Sequence, residues 1–253
     1  MSPEAYLRSV IRKHMVKPDQ ESRAAFNSKR LYPIIRRWAH DNLIAIRPVG
    51  SYVKKTNIIG NTDIDLFISL KPSTPLTLKE IYDLLADFLR FNDLNVKKQN
   101  VSIRVDYKNV AIDLVPGRKQ SGSTLDHSLY SKKSDSWIQT NVDKHISFVR
   151  QSKCRWEICA LKIWRNLHKL HFPSFYLEMS VINAVKGYRR YKLSTTLERI
   201  FGYLYDDFEE ARIIDPANSN NIISDELNKS EKRAIKKAAN SSLLADSWAD
   251  VIW

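Results

Sequence analysis

Apolar and polar positions change period along this chain, and each change marks an element. Residues 3–15 and 22–42 carry apolar side chains at helical spacing, with Leu31, Ile34, Ile35 and Trp38 on one stripe of the second segment. "LIAIRPVGS" then reads as a short strand that turns at Pro48 and Gly50. Residues 63–70, "DIDLFISL", form the next strand. After the turn "KPSTP", the segment "TLKEIYDLLADFLRFN" places Ile81, Leu84, Leu85 and Phe88 on one helical face. Thr77 is the N-cap, because its hydroxyl can accept an N–H that the first turn leaves unsatisfied. "NVSIRVDYKNVAIDLVPG" alternates on both sides of a polar turn at Lys108-Asn109, the pattern of a β-hairpin. From about residue 135 the spacing is helical throughout, apart from the loop-rich stretch "IIDPANSNNIISDELNKS".

The pattern predicts two domains. Residues 1–120 form an α/β half that includes the N-terminal helices, and residues 121–253 form a mainly helical half. The polar stretch 117–134, "GRKQSGSTLDHSLYSKKS", is the natural join, and joins of this kind often form clefts.

Strand alternation now places the acids. Asp63, Asp65 and Phe67 point one way, while Ile64, Leu66 and Ile68 point into the helix-covered core. In the second hairpin strand Val110, Ile112 and Leu114 take the apolar face, which leaves Asp113 opposite with Ala111 and Val115. Apolar neighbours in "AIDLVP" embed Asp113 too deeply for an idle surface charge. Should the two strands lie side by side, three carboxylates converge. Like charges that close repel unless a cation joins them, and hard oxygen donors suit Mg²⁺ or Mn²⁺. A solvated turn would account for Asp63 and Asp65 but not for Asp113. The Gly50-Ser51 turn adds a phosphate site: glycine admits close backbone approach, and the serine hydroxyl can donate to phosphate oxygens.

Composition narrows the partners. The 253 residues include 43% apolar side chains and only 6 glycines, enough for a large core and too few for a glycine-rich phosphate loop. No apolar run approaches the roughly 18 residues of a membrane helix, and "MSPEAYLRSVIRKHMV" lacks the form of a signal sequence. A soluble cytoplasmic protein without a membrane partner is expected. Cys154 and Cys159 have a spacing that suits neither a metal knuckle nor a disulfide framework, and are expected as reduced core residues. The net charge is +13, and residues 117–169 hold eleven Lys or Arg against four acids. That basic stretch is either a solvated face or a surface for triphosphates or nucleic acid. His168 and His171 have metal-ligand spacing without a third ligand, and read as surface residues, as does His145.

Gly50-Ser51, Asp63-x-Asp65 and the distal Asp113 together resemble the DNA polymerase β-like nucleotidyltransferase superfamily. "ALKIWRNL", "FPSFYLEMSVI" and "DPANSNNI" narrow the likeness to oligoadenylate synthetases, cyclic GMP-AMP synthase-like bacterial cyclases and archaeal-type CCA-adding enzymes, over residues 45–240. The resemblance implies a small mixed-sheet nucleotidyltransferase palm with helices on one face, a helical domain after it, and an active site in the cleft between them. It implies Mg²⁺ or Mn²⁺ as cofactor, held by Asp63, Asp65 and Asp113, and a nucleoside triphosphate as substrate. Lys162 then meets the triphosphate, although on spacing alone it shares a stripe with Arg155 and Lys169 that an exposed helix face would also give. Ser174 touches the nucleotide, and Phe175 either stacks on the base or packs in the core. Phe175 stands where many relatives carry tyrosine, so stacking can persist while a hydroxyl contact is lost. Three acceptors fit: another nucleotide, giving a linear or cyclic second messenger in antiviral signalling; an RNA 3′ end, with RNA as acceptor or activator; and a partner protein modified with AMP. Oligomeric state is not implied either way.

Overall fold

Prolines divide the N-terminal stretch into three helices, α1 (Pro3–His14), α2 (Pro18–Lys29) and α3 (Tyr32–Ala39), each with a proline in its first turn. A single helix over 22–42 was the expectation. Pro33 breaks it, since a proline inside a helix loses an N–H bond and its ring clashes with the carbonyl four residues earlier. In this computed structural model the described residues are 1–253 without Asn61, Thr62, Asn109 and the side chain of Arg23. Asn109, assigned to the hairpin turn, therefore lies outside them.

The chain continues through β1 (Leu43–Pro48), the short α4 (Gly50–Lys54), β2 (Ile64–Leu70), α5 (Leu78–Phe91), β3 (Val96–Lys98), β4 (Ile103–Tyr107) and β5 (Val110–Lys119). β6 (His127–Ser131) and β7 (Ser136–Thr140) precede α6 (Val142–Gln151), α7 (Arg155–Leu167), α8 (Ser174–Ala184) and α9 (Leu193–Asp206). A two-stranded hairpin, β8 (Ile214–Asp215) with β9 (Asn218–Ile222), and α10 (Lys229–Leu243) follow. Packing divides the chain into one unit of Val16–Ile146 and another of Met1–Met15 with Ser147–Trp253. The boundaries differ from the expected 1–120 and 121–253. The sheet reaches past residue 120 because β5 runs on to Lys119, pairs there with β6, and β6 pairs with β7. So the polar stretch 117–134 holds the end of β5 and the whole of β6, and helix does not run unbroken from residue 135. α1 goes with the helical unit because it buries Leu7, Val10 and Ile11 and packs on α7 and α9. Its Glu4 carboxylate also accepts the backbone N–H of Leu193 at 2.7 Å, where the first turn of α9 offers unsatisfied donors.

In the Val16–Ile146 unit the strand order is β1-β2-β5-β4-β3, with β2 and β5 parallel and the other pairs antiparallel. Helices α2, α3 and α5 cover one face. Ile64, Leu66 and Ile68 of β2 and Ile112 and Leu114 of β5 meet Ile35 of α3 and Ile81, Leu85 and Leu89 of α5 in one buried cluster. α5 forms where its pattern places it, and a reciprocal capping box joins Thr77 and Glu80 at its start. On the opposite face a smaller apolar cluster of Val49, Phe67 and Leu129 sits beside the acidic residues. In the other unit Cys154 and Cys159 are buried free thiols, and Trp164, fully buried, donates its indole N–H to Ser242 Oγ at 2.9 Å. Among the described residues no helix is long and apolar enough to cross a membrane.

Candidate active site

Parallel pairing of β2 with β5 brings Asp65 directly beside Asp113. Antiparallel pairing of β5 with β4 then brings Arg104 beside Asp113 on its other side. Residues in register across adjacent strands share a face, so Asp65, Asp113 and Arg104 form one row on the side away from α3 and α5. Asp63, just before β2, joins the row through Arg104. Arg104 grips Asp113 with both arms of its guanidinium, Nε to Oδ1 at 3.0 Å and Nη2 to Oδ2 at 2.9 Å, and the same Nη2 donates to an Asp63 oxygen. Burial raises the Asp63 pKa; Arg104 acts against that rise and the charge of Asp113 adds to it, with a smaller addition from Asp106. The Arg104 pKa is itself raised, chiefly by its hydrogen bond to Asp113, so the guanidinium stays charged.

Gly50 is fitted to this row. Its φ is +64°, a left-handed conformation that glycine adopts without strain, and a Cβ built there would lie 1.8 Å from Asp65 Oδ2. The Val49 N–H donates to the Asp65 carbonyl at 2.8 Å, which ties the turn to β2. Ser51 follows within α4, half-buried.

Lys162, Ser174 and Phe175 belong to the other unit. Lys162 is not part of an exposed stripe: it is 2% exposed, and its Nζ lies 2.8 Å from Glu178 Oε1. α7 and α8 pack together, and this buried pair links them. Ser174 Oγ accepts a bond from Arg165 Nη1 at 3.0 Å, which leaves the hydroxyl able to donate. Phe175 is half-buried, whereas its neighbour Tyr176 is fully buried against Phe172 and Phe208. His168 and His171 go separate ways, toward the Val251 carbonyl and the Glu231 carboxylate.

One residue of the row escaped the sequence reading, Arg104, as did the nearby Asp106. The signal was present: a hairpin turning at Lys108-Asn109 pairs Tyr107 with Val110, and counting outward sets Arg104 against Asp113.

No protein-family profile matches the chain, and no curated protein matches it by sequence. Solved structures do. CdnC of E. coli MS115-1 with ATP superposes with a TM-score of 0.81 at 22% identity, over 95% of this chain and 90% of that one. A TM-score of 0.72 at 18% identity relates it to the CdnE cyclic dinucleotide synthase of Elizabethkingia meningoseptica with GTP and Apcpp, over 95% and 99% of the two chains. The chain has the nucleotidyltransferase fold. A mutant of mtPAP in complex with ATPγS shares that nucleotidyltransferase fold with a TM-score of 0.73 at 13% identity, over 96% of this chain and 68% of that one. The fold expected from Gly50-Ser51, Asp63-x-Asp65 and Asp113 is thus the fold observed.

The acids fit a hard divalent cation in kind. All are oxygen donors, and one positively charged atom, Arg104 Nη2, already bonds oxygens of both Asp63 and Asp113. Among the described residues, however, no group of three or more His, Cys, Asp or Glu stands ready to hold a metal ion. The fork of Arg104 takes both oxygens of Asp113.

Proposed function

We propose that the protein is a divalent-cation-dependent nucleotidyltransferase. It transfers a nucleoside monophosphate from a nucleoside triphosphate to a hydroxyl on another nucleotide, releases pyrophosphate, and makes a linear or cyclic oligonucleotide signal. The observation that carries this reading is the in-register row of Asp65 and Asp113 on adjacent parallel strands, extended to Asp63 by Arg104. The shared fold of nucleotide-bound CdnC and of the cyclic dinucleotide synthase CdnE supports it.

Asp63, Asp65 and Asp113 hold Mg²⁺ or Mn²⁺, which when bound supplies charge neutralisation at the triphosphate and acidifies the acceptor hydroxyl. Asp113, beside Asp65 and 8% exposed, takes the proton that the hydroxyl releases. Gly50 and Ser51 bind the β- and γ-phosphates through backbone N–H groups and the serine hydroxyl, and the absence of a Cβ at Gly50 keeps Asp65 close. For Lys162, whose Nζ bonds Glu178, phosphate oxygens would be one anionic partner in place of another. Ser174 and Phe175 contact the sugar and base.

Incubation with labelled ATP, GTP, CTP and UTP and Mg²⁺, with and without RNA, followed by mass spectrometry, tests the reading. Oligonucleotides made from the triphosphates alone, and lost in Asp113→Ala, are the expected result. Elongated RNA or AMP-labelled protein would move the acceptor to one of the other two classes. No transfer under any of these conditions would remove the enzymatic reading.

A further inference from the structure

The carboxylate row carries its own cation, which bonds Asp113 and Asp63 at once. Arg104 is held there by register: β4 runs between β3 and β5, and the neighbours of Arg104 on that strand, Ile103 and Val105, are fully buried in the core. Its guanidinium takes both oxygens of Asp113 and one of Asp63, while about a third of the side chain, 31%, meets solvent. A planar fork on a carboxylate is the strongest geometry an arginine makes, so it competes with any other cation for the same oxygens. The exposed third gives the side chain a way out when that competition is lost.

We propose that Arg104 is a resident cation that a divalent metal must displace. Metal binding at Asp63, Asp65 and Asp113 is then an exchange of one cation for another. The site fills poorly with metal alone, and fills together with a nucleoside triphosphate, whose phosphates supply the anionic partner for the released guanidinium. Arg104 is thus a positioning residue that couples metal loading to substrate. The inference rests on the metal-site reading of the three acids and adds to it the order in which the site is occupied. An ordinary cross-strand ion pair would behave differently: its loss would lower stability and leave metal affinity unchanged or weaker.

Titration with Mn²⁺ followed by the free-ion electron paramagnetic resonance signal separates these cases. It is run on the full chain, with and without a non-hydrolysable ATP analogue. Arg104→Gln removes the charge and is expected to bind Mn²⁺ at least about tenfold more tightly than wild type without nucleotide, because a like charge at contact distance has gone. The gain in Mn²⁺ affinity on adding the analogue should shrink in the same variant. Arg104→Lys keeps the charge without the fork and should fall between, and a thermal melt identifies a variant that has not folded. Equal or weaker Mn²⁺ binding by folded Arg104→Gln, with wild type binding measurably, overturns the displacement and leaves the metal site standing. Absence of Mn²⁺ binding in wild type and variant alike, with the analogue present, overturns the metal reading and this inference together.

Discussion

Gly50 answers to two constraints that act through different atoms. Its φ of +64° asks for a residue without a Cβ, and the Asp65 carboxylate lies where that Cβ would go. Left-handed backbone alone costs an alanine about 1–2 kcal/mol. Gly50→Ala should therefore melt several degrees lower, at about 2–4 °C per kcal/mol for a chain of this size, and lose triphosphate binding as Asp65 is pushed aside. A melt beside an ATP-analogue titration checks both. His127 makes a second prediction at this scale. It is buried, with Nδ1 2.9 Å from the Leu125 carbonyl and Nε2 2.8 Å from Ser69 Oγ. Burial holds its pKa below the usual value; the bond to Leu125 opposes this, Arg47 and Lys119 reinforce it, and Asp143 opposes it. Between the lowered folded value and an unfolded value near 6.5 the unfolded chain binds more protons. Stability from this group is full above that upper value and is lost as pH falls through the window. Urea denaturation from pH 7.5 to 5.5 should show wild type losing more stability than His127→Gln. Equal losses would mean His127 does not titrate as described. The acids are readable from alternation within single strands, whereas Arg104 is readable only by counting the β4–β5 register outward from the hairpin turn.

At the level of elements, α5 was legible because cap, amphipathic stripe and length agree, and no tertiary contact had to decide it. The helix over 22–42 failed on one residue, Pro33. β7, "SWIQT", was missed because it is a short edge strand with exposed polar positions, and only its pairing with β6 makes it a strand. α7 is the instructive case. A seven-residue spacing of Arg155, Lys162 and Lys169 suggests a wet face, yet α8 covers its middle and Lys162 ends on Glu178. Removing one member of a buried pair leaves the other charge uncompensated, at about 3–5 kcal/mol. Lys162→Met should destabilise by that order in urea denaturation, and Lys162→Met with Glu178→Met should recover most of it. A neutral Lys162→Met would show that the pair is not what joins the helices. Triphosphate affinity of the double variant, measured at equal folding, then reports whether Lys162 also binds substrate.

For the whole molecule the net charge of +13 sets long-range behaviour without regard to detail. Contacts to phosphates release counterions, so binding of a random-sequence RNA should fall by at least about tenfold between 50 and 200 mM salt in a filter-binding assay. A flat response would argue against the basic surface as an RNA contact. The sequence by itself determined the acids on a common strand face, the glycine turn before them, the capped helix and the positive charge, since each follows from local period, local conformation or simple addition. Tertiary structure decided that β2 and β5 run side by side with Asp65 against Asp113, that Arg104 occupies the row, that Lys162 is buried, and that α1 joins the helical unit. These depend on which distant segments bury each other's apolar faces, and burial of that kind is a property of pairs of segments that no single stretch of chain contains.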